Sequence, residues 1–375
     1  MKLILDSQAF NYQKYGGVSR YYTEIFSLLQ KNESVEVETP WFFTKNIYYK
    51  ESSLFNKKQK QKTFWLGLLS SFGISIRKKS QKLNFSETKK IASEYNFDVF
   101  IPTYYDPYFL DFINEKPFVL TVYDMIHELL PQYFSDGEKV KANKLLLIEK
   151  ATRIIAVSQN TKKDILKLYP HIDASKIDVI YHGTSIKTTE NKSIDLPAHY
   201  ILYVGSRANY KNFNFLLESA KELLKKDPNL YLVCAGGGGF TKEEKELLKS
   251  LELENQIIQK DFEESELGQF YKKAKCFVFP SLYEGFGIPV LESMASGCPV
   301  VLGNHSSFPE VAENAGVYFK MDDKEDLKRK IEELLENDTL RNEFIVKGFE
   351  QVKKFTWQNA AEQCLDVYKK AASKK

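Results

Sequence analysis

Phe279-Pro280-Ser281-Leu282-Tyr283-Glu284-Gly285-Phe286-Gly287-Ile288-Pro289-Val290-Leu291-Glu292 is followed by Ser293-Met294-Ala295-Ser296-Gly297-Cys298-Pro299-Val300-Val301, and together they spell one strand, loop, helix and strand in order. The apolar run 276–279 reads as a buried strand, so Glu284 stands on the loop at its C-terminal end. Gly285 and Gly287 strip side chains from that loop and expose backbone N–H groups. Pro289 suits a first helical turn, and Gly297 closes the helix before Pro299. Glu292 then lies near the helix start, with seven residues between it and Glu284. A carboxylate accepts hydrogen bonds from vicinal hydroxyls, and a helix N-terminus attracts a phosphate. Glu292 alone could be no more than a charge favouring the helix start, but that leaves Glu284 and both glycines unexplained.

The same grammar recurs on either side. Apolar runs at 3–6, 99–102, 118–123, 154–158 and 178–181 read as parallel strands, with helical periodicity at 19–31 and 139–150. The series restarts at 199–204, 231–235, 256–258, 276–280 and 299–302, with helices at 213–226 and 263–273. Such alternation predicts an α/β protein of two Rossmann-like, doubly wound domains facing each other across a cleft. The polar stretch 186–197 marks the boundary, giving domains 1–190 and 191–355 and a C-terminal helix within 356–375.

The 375 residues carry a net charge of +3, with 43% hydrophobic and 27% charged residues, enough for two ordinary cores. The basic surplus concentrates between Lys57 and Lys90, where ten basic residues face only Glu87 and surround an apolar run from Phe64 to Ile76. This pattern suits either an anionic membrane surface or a solvated loop over a buried helix. No nucleic-acid motif accompanies it, and no nucleic-acid partner is expected. Cys234, Cys276, Cys298 and Cys364 form no C-x-x-C pair and read as buried thiols. With no signal peptide and no run long enough to span a bilayer, the expectation is a cytoplasmic protein that touches the inner membrane face.

Three further loops carry chemistry-bearing residues. Tyr15-Gly16-Gly17-Val18-Ser19-Arg20 follows the first strand and opens a helix, a place for an anion or simply a tight turn. Gly236-Gly237-Gly238-Gly239 lacks the dinucleotide spacing, because Thr241 stands where the third glycine would be, so NAD and FAD are excluded. Gly205-Ser206-Arg207-Ala208-Asn209-Tyr210-Lys211-Asn212 places two cations after the first strand of the second half. They could neutralise a diphosphate without a metal, or form a solvated basic turn.

On these residues the chain resembles the retaining family 4 glycosyltransferases of GT-B fold, through most of its length and most densely from 201 to 310. Their E-x7-E motif is present as Glu284 and Glu292 within PSLYEGFGIPVLESMASGCPVV. The resemblance implies that Glu292 holds the donor ribose and Glu284 the transferred sugar. It also implies that the backbone of Gly285, Phe286 and Gly287 lies against sugar and diphosphate, and that Arg207 and Lys211 bind the diphosphate. Gly16, Gly17 and Arg20 match the family's glycine loop near phosphate and acceptor. Ser306 and Ser307 fall where the family contacts phosphate and sugar, and the helix after Trp357 would cross back to the first domain. One departure stands out. Many relatives carry His-Asp at the end of a central strand, whereas here the pair is Tyr123-Asp124 with His127 three residues on. His127 or Asp124 could serve in its place, or His127 could be a packing residue.

The activity implied is transfer of a sugar, with retention, from a UDP- or GDP-sugar to a saccharide or polyprenyl-linked acceptor in cell-surface polysaccharide or glycoconjugate synthesis. No cofactor and no metal are expected, since no D-x-D element sits on a convincing strand-end loop. An epimerase or hydrolase of nucleotide sugars on the same fold, or a non-catalytic binder, would use the same cleft.

Overall fold

β1 (Lys2–Leu5) lies between β2 (Glu36–Glu38) and β3 (Val99–Ile101), all parallel. β4 (Val119–Val122), β5 (Arg153–Ala156) and β6 (Ile177–Val179) form a second parallel set, joined to the first by a bridge between Phe100 and Phe118. This computed structural model describes residues 1–41, 43–57, 59–61, 76–186 and 194–373, with side chains of the helix Ile76–Ala92 described from residue 81. The chain divides into two units, Met1–His182 with Trp357–Lys375, and Gly183–Thr356. The apolar part of the segment between Lys57 and Lys90, and most of the expected boundary at 186–197, lie outside the described residues.

In the first unit the strands are apolar on both faces: Leu3, Ile4, Leu5, Val99, Phe100 and Ile101 have no exposed surface. That is why they read as continuous hydrophobic runs rather than alternating ones. β2 escapes such a reading because its Glu-Val-Glu sequence places two carboxylates in a three-residue edge strand. The helix Trp357–Ala372 buries Ala360, Ala361, Cys364, Leu365 and Tyr368 along one stripe. It packs on the helix Gly17–Leu29, where the Tyr21 hydroxyl lies 3.4 Å from Cys364 Sγ.

The second unit is one six-stranded parallel sheet in the order β12-β11-β10-β7-β8-β9. Its strands are β7 (His199–Val204), β8 (Leu230–Ala235), β9 (Ile257–Lys260), β10 (Cys276–Phe279), β11 (Val300–Gly303) and β12 (Gly316–Phe319). β12 adds a strand the sequence reading lacked. The helix expected from 263 begins instead at Leu267, because Glu263 N bonds Glu266 Oε2 at 2.8 Å and the chain turns there first. All four cysteines are free and buried, and burial pushes the Cys234, Cys298 and Cys364 thiols up to about 12. Among the described residues no helix is long and apolar enough to cross a membrane.

In such sheets the strand order reverses at one point, and the loops leaving the two strands on either side open a crevice. The reversal lies between β7 and β10 in the second unit, and between β1 and β3 in the first. At the first unit's reversal the space is filled by Asp6. Its Oδ1 accepts from Thr103 N at 2.8 Å and Thr103 Oγ1 at 2.6 Å, and its Oδ2 from Gln8 Nε2 at 2.7 Å. Burial raises the Asp6 carboxyl to about 6 against the opposing effect of these bonds. A raised carboxyl pKa favours the fold below the unfolded value and loses that contribution as pH rises through the folded value. A rise of this size corresponds to about 3 kcal/mol, so stability measured between about pH 4 and 7 should fall with a slope that Asp6→Asn flattens. An unchanged slope in the variant would locate the dependence elsewhere.

Candidate active site

The loops leaving β7 and β10 meet at the second unit's reversal. Leu282 N donates to Tyr210 O at 2.8 Å, tying one loop to the other. Beside this tie Lys211 Nζ lies 2.5 Å from Glu284 Oε1, with the two side chains 19% and 16% exposed. The ammonium also stands 4.9 Å from the Tyr210 ring and 5.7 Å from Phe279. Asn209 and Asn212 flank this turn with positive φ of 23° and 56°, a conformation asparagine tolerates better than most residues. Burial draws the Lys211 pKa down, but the charge and hydrogen bond of Glu284 outweigh it, and the net shift is upward. Lys211 is therefore a positive charge largely withdrawn from water.

The Glu284 loop is clamped from behind by the segment after β11. Ser306 Oγ accepts from Glu284 N at 3.1 Å and donates to Glu284 O at 2.5 Å. Ser307, with no exposed surface, directs its hydroxyl at Glu284 O (3.0 Å) and Phe286 O (2.9 Å). His305 Nε2 lies 3.1 Å from Ser281 O, and burial holds the ring below its ordinary pKa. A neutral ring facing a carbonyl carries its proton on Nε2. Ser306 and Ser307, expected to touch the ligand, thus spend their hydroxyls on the loop that bears Glu284. His305 went unnoticed in the sequence; its only signal there is adjacency to these serines.

Gly287 opens the helix Ile288–Ala295 at φ 95° and ψ 57°, with Pro289 in the first turn and Gly297, φ 72°, just past the end. On this helix Glu292 is 4% exposed, and its Oε2 accepts from the Tyr271 hydroxyl at 3.3 Å. Tyr271 belongs to the buried face of the helix Leu267–Lys273. Glu284 and Glu292 thus take different partners, a lysine and a tyrosine.

Arg207 and Lys211 also part company. Arg207 Nε bonds Glu244 Oε1 at 2.9 Å, while its terminal nitrogens bond the carbonyls of Gly236, Gly238 and Gly239 at 3.2, 2.8 and 3.1 Å. Phe240 covers the guanidinium at 4.8 Å. The glycine run after β8 is therefore wrapped around an arginine: Gly236, Gly237 and Gly238 all have φ near 74°, and a Cβ on Gly237 would lie 2.9 Å from Arg207 Nη1.

In the first unit, Gly16 and Gly17 start the helix that carries Arg20. Gly16 has an extended backbone open to any residue, but a Cβ there would come within 2.3 Å of Gln13 Oε1. Gln13 Oε1 accepts from Ser19 N at 3.1 Å, capping part of the helix start meant for an anion. Arg20 is 7% exposed, its guanidinium 5.8 Å from the Tyr48 ring. Asp124 Oδ1 accepts from Ile126 N at 3.1 Å. The fully buried Lys144 donates to Asp124 O at 3.0 Å and Glu128 Oε2 at 2.9 Å, a support the sequence reading did not single out. The His127 ring lies 4.3 Å from that of Phe134, tilted by 40°, and burial followed by the Lys144 charge lowers its pKa. Among the described residues no group of three or more His, Cys, Asp or Glu side chains is placed to hold a metal.

Two Rossmann-like units of parallel strands are the architecture of the GT-B class of α/β proteins. Residues 56–187 match the family described as Glycosyltransferase Family 4, and residues 185–351 match Glycosyl transferases group 1. The chain belongs to the family 4 glycosyltransferases. It is similar to the O-antigen chain mannosyltransferase RfbU of Salmonella typhimurium, 29% identical over 246 residues that cover 63% of this chain and 68% of that protein. It is likewise similar to the O-antigen chain mannosyltransferase B of Escherichia coli, 28% identical over 265 residues, or 67% and 70%. Sucrose-phosphate synthase from Thermosynechococcus elongatus shares the fold with a TM-score of 0.74 at 17% identity, covering 98% of each chain. HepE of Anabaena, solved with UDP and glucose, does so with a TM-score of 0.70 at 19% identity, over 99% of this chain and all of that one.

Gly287 supplies a direct check on the loop. An added Cβ there meets only ordinary contacts at 3.4 Å, so the cost of substitution is the left-handed backbone alone. Gly287→Ala should lower stability by about 1–2 kcal/mol in chemical denaturation, and Gly287→Asn by less.

Proposed function

We propose that this glycosyltransferase moves a hexose, with retention of anomeric configuration, from a UDP- or GDP-sugar to a saccharide or polyprenyl-linked saccharide during synthesis of a cell-surface polysaccharide. The observation that carries this reading is the Lys211–Glu284 pair, held at the reversal of the second sheet on a loop clamped by Ser306 and Ser307. The two O-antigen mannosyltransferases support the polysaccharide context and make mannose the first hexose to test.

Breaking the glycosidic bond leaves negative charge on a diphosphate, so the barrier falls where that charge is met by fixed cations and N–H donors. Lys211 is placed for this role. On donor binding its ammonium turns from Glu284 to the diphosphate, and the freed Glu284 carboxylate accepts from hydroxyls of the transferred sugar. Amides of Gly285, Phe286 and Gly287 and the start of the helix Ile288–Ala295 add partial positive charge. Glu292, which accepts from the Tyr271 hydroxyl, holds the ribose hydroxyls. Arg207 acts on the diphosphate through the glycine loop it shapes. In a retaining displacement the acceptor oxygen bonds the anomeric carbon on the face from which the phosphate leaves. The acceptor proton passes to the departing phosphate oxygen. Gly16, Gly17 and Arg20 serve the acceptor side, with Asp124 or His127 beside the transferred sugar. This assignment uses no metal and no cofactor.

A panel of nucleoside diphosphates and nucleotide sugars, read by thermal shift with and without chelator, tests the reading. At least one diphosphate should raise the melting temperature, equally with chelator. Stabilisation by none would sink the function, and loss with chelator would sink the metal-free part. Glu284→Gln should keep nucleoside diphosphate affinity yet lower kcat by about a hundredfold, the scale of one transition-state contact.

The basic segment between Lys57 and Lys90 is proposed to rest on the anionic inner membrane face, where each cation near the surface contributes about 1 kcal/mol. Neutralising Arg77, Lys78 and Lys79 together should weaken binding to phosphatidylserine-containing liposomes roughly a hundredfold. Unchanged binding would argue against it.

A further inference from the structure

The first unit contains a recess of about 200 Å³ whose walls include Tyr12, Gln13, Lys14, Phe43, Lys45 and Gln81. The charges of Asp106 and Asp6 reach Tyr12 in its wall, and it is built rather than accidental. Asn84, with no exposed surface, donates to Asn11 Oδ1 at 2.7 Å and Phe43 O at 2.8 Å, pinning two walls together. Buried Asn46 donates to Gln13 O at 3.0 Å, Ile47 N bonds Lys14 O at 3.0 Å, and Thr44 Oγ1 bonds Phe10 O at 2.8 Å. Gln81 Nε2 in turn bonds the Tyr12 hydroxyl at 2.8 Å. Backbone and side chains thus set the shape before any ligand arrives, which lowers the ordering cost of binding.

Two lysines stand on one side of this recess, while the charges of Asp106 and Asp6 act on Tyr12 in the opposite part of its wall. Lys14 and Lys45 line it, and burial, followed by the charges of Lys45 and Lys14, holds the Lys50 ammonium below its ordinary value. None of the three forms an ion pair with a carboxylate among the described residues. Like charges crowded without a counter-ion repel one another, and an anion entering the recess relieves that repulsion. The apolar faces of Tyr12 and Phe43 meanwhile suit the C–H face of a sugar ring, and the side-chain amides suit its hydroxyls. The volume matches one ring rather than a chain.

We propose that this recess binds the phosphorylated end of a saccharide, with one sugar ring against Tyr12 and Phe43 and its phosphate or diphosphate on Lys14 and Lys45. That this saccharide is the acceptor rests on the transferase reading above; the anion-and-sugar chemistry of the recess does not. Two sources share this chemistry, a soluble sugar phosphate and a polyprenyl diphosphate-linked sugar.

Calorimetric titration of the full chain and of Lys14→Gln/Lys45→Gln tests the proposal with mannose 6-phosphate, mannose, inorganic phosphate and a short-chain polyprenyl diphosphate-linked sugar. The wild-type protein should bind the phosphorylated sugars at least tenfold more tightly than mannose or phosphate alone, and the double variant should lose at least tenfold of that affinity. Its melting temperature should equal or exceed wild type, because the removed charges have no carboxylate partners. Tighter binding of the prenyl-linked sugar assigns the lipid source, and equal binding the soluble one. Equal affinities in variant and wild type would overturn the site, and inorganic phosphate binding as well as the sugar phosphates would overturn its sugar part. Lysine-dependent binding in a protein that takes up no nucleoside diphosphate would sustain the recess and sink the transferase reading.

Discussion

Lys211 and Glu284 can meet only because β7 and β10 are neighbours. They are far apart in the chain, and the pair closes over the point where the parallel sheet changes winding direction. A parallel sheet sends every strand's C-terminal loop to the same edge, so two loops flanking the reversal diverge and leave a crevice between them. Everything else in the site serves this junction. The Leu282–Tyr210 backbone bond fixes the separation of the two loops, and the serines after β11 hold the Glu284 backbone from the far side. A lysine held at hydrogen-bond distance from a carboxylate gives the loop a defined shape.

The two units treat the same geometric opportunity differently. The reversal of the first sheet is filled by Asp6, whose carboxylate accepts from Thr103 and Gln8 and is buried completely. The reversal of the second is bridged by two partly exposed charged side chains. A sealed crevice makes a rigid scaffold, and a bridged one can exchange its internal partner for a ligand's charge. The first unit keeps its lysine-bearing recess at the end of the short helix Gln8–Tyr12, whose last residues line it.

Arginine and lysine in the loop after β7 show how side chains of one charge come to differ in use. The planar guanidinium of Arg207 satisfies three glycine carbonyls and a carboxylate at once, a fork that an ammonium cannot reproduce. Lys211 presents a point charge on a flexible stem, suited to changing partners. Four residues apart in sequence, one shapes a glycine loop and the other pairs with Glu284.

The parallel α/β class, most strands to within two residues, and the family are legible in residue order, because buried parallel strands are unbroken apolar runs and Gly287, Pro289 and Gly297 punctuate a helix by backbone chemistry. Residue order also shows that Glu284 and Glu292 stand on a strand-end loop and the helix that follows. β2 and β12 escaped it, since edge strands of three or four residues carry too little periodicity to separate from a turn. Which partner each charge takes is set by packing in three dimensions: Glu284 with Lys211, Glu292 with Tyr271, Arg207 with Glu244, Asp124 with Lys144. Those choices depend on which loops are neighbours in space, and neighbourhood in a doubly wound sheet follows strand order, which no local pattern of residues records.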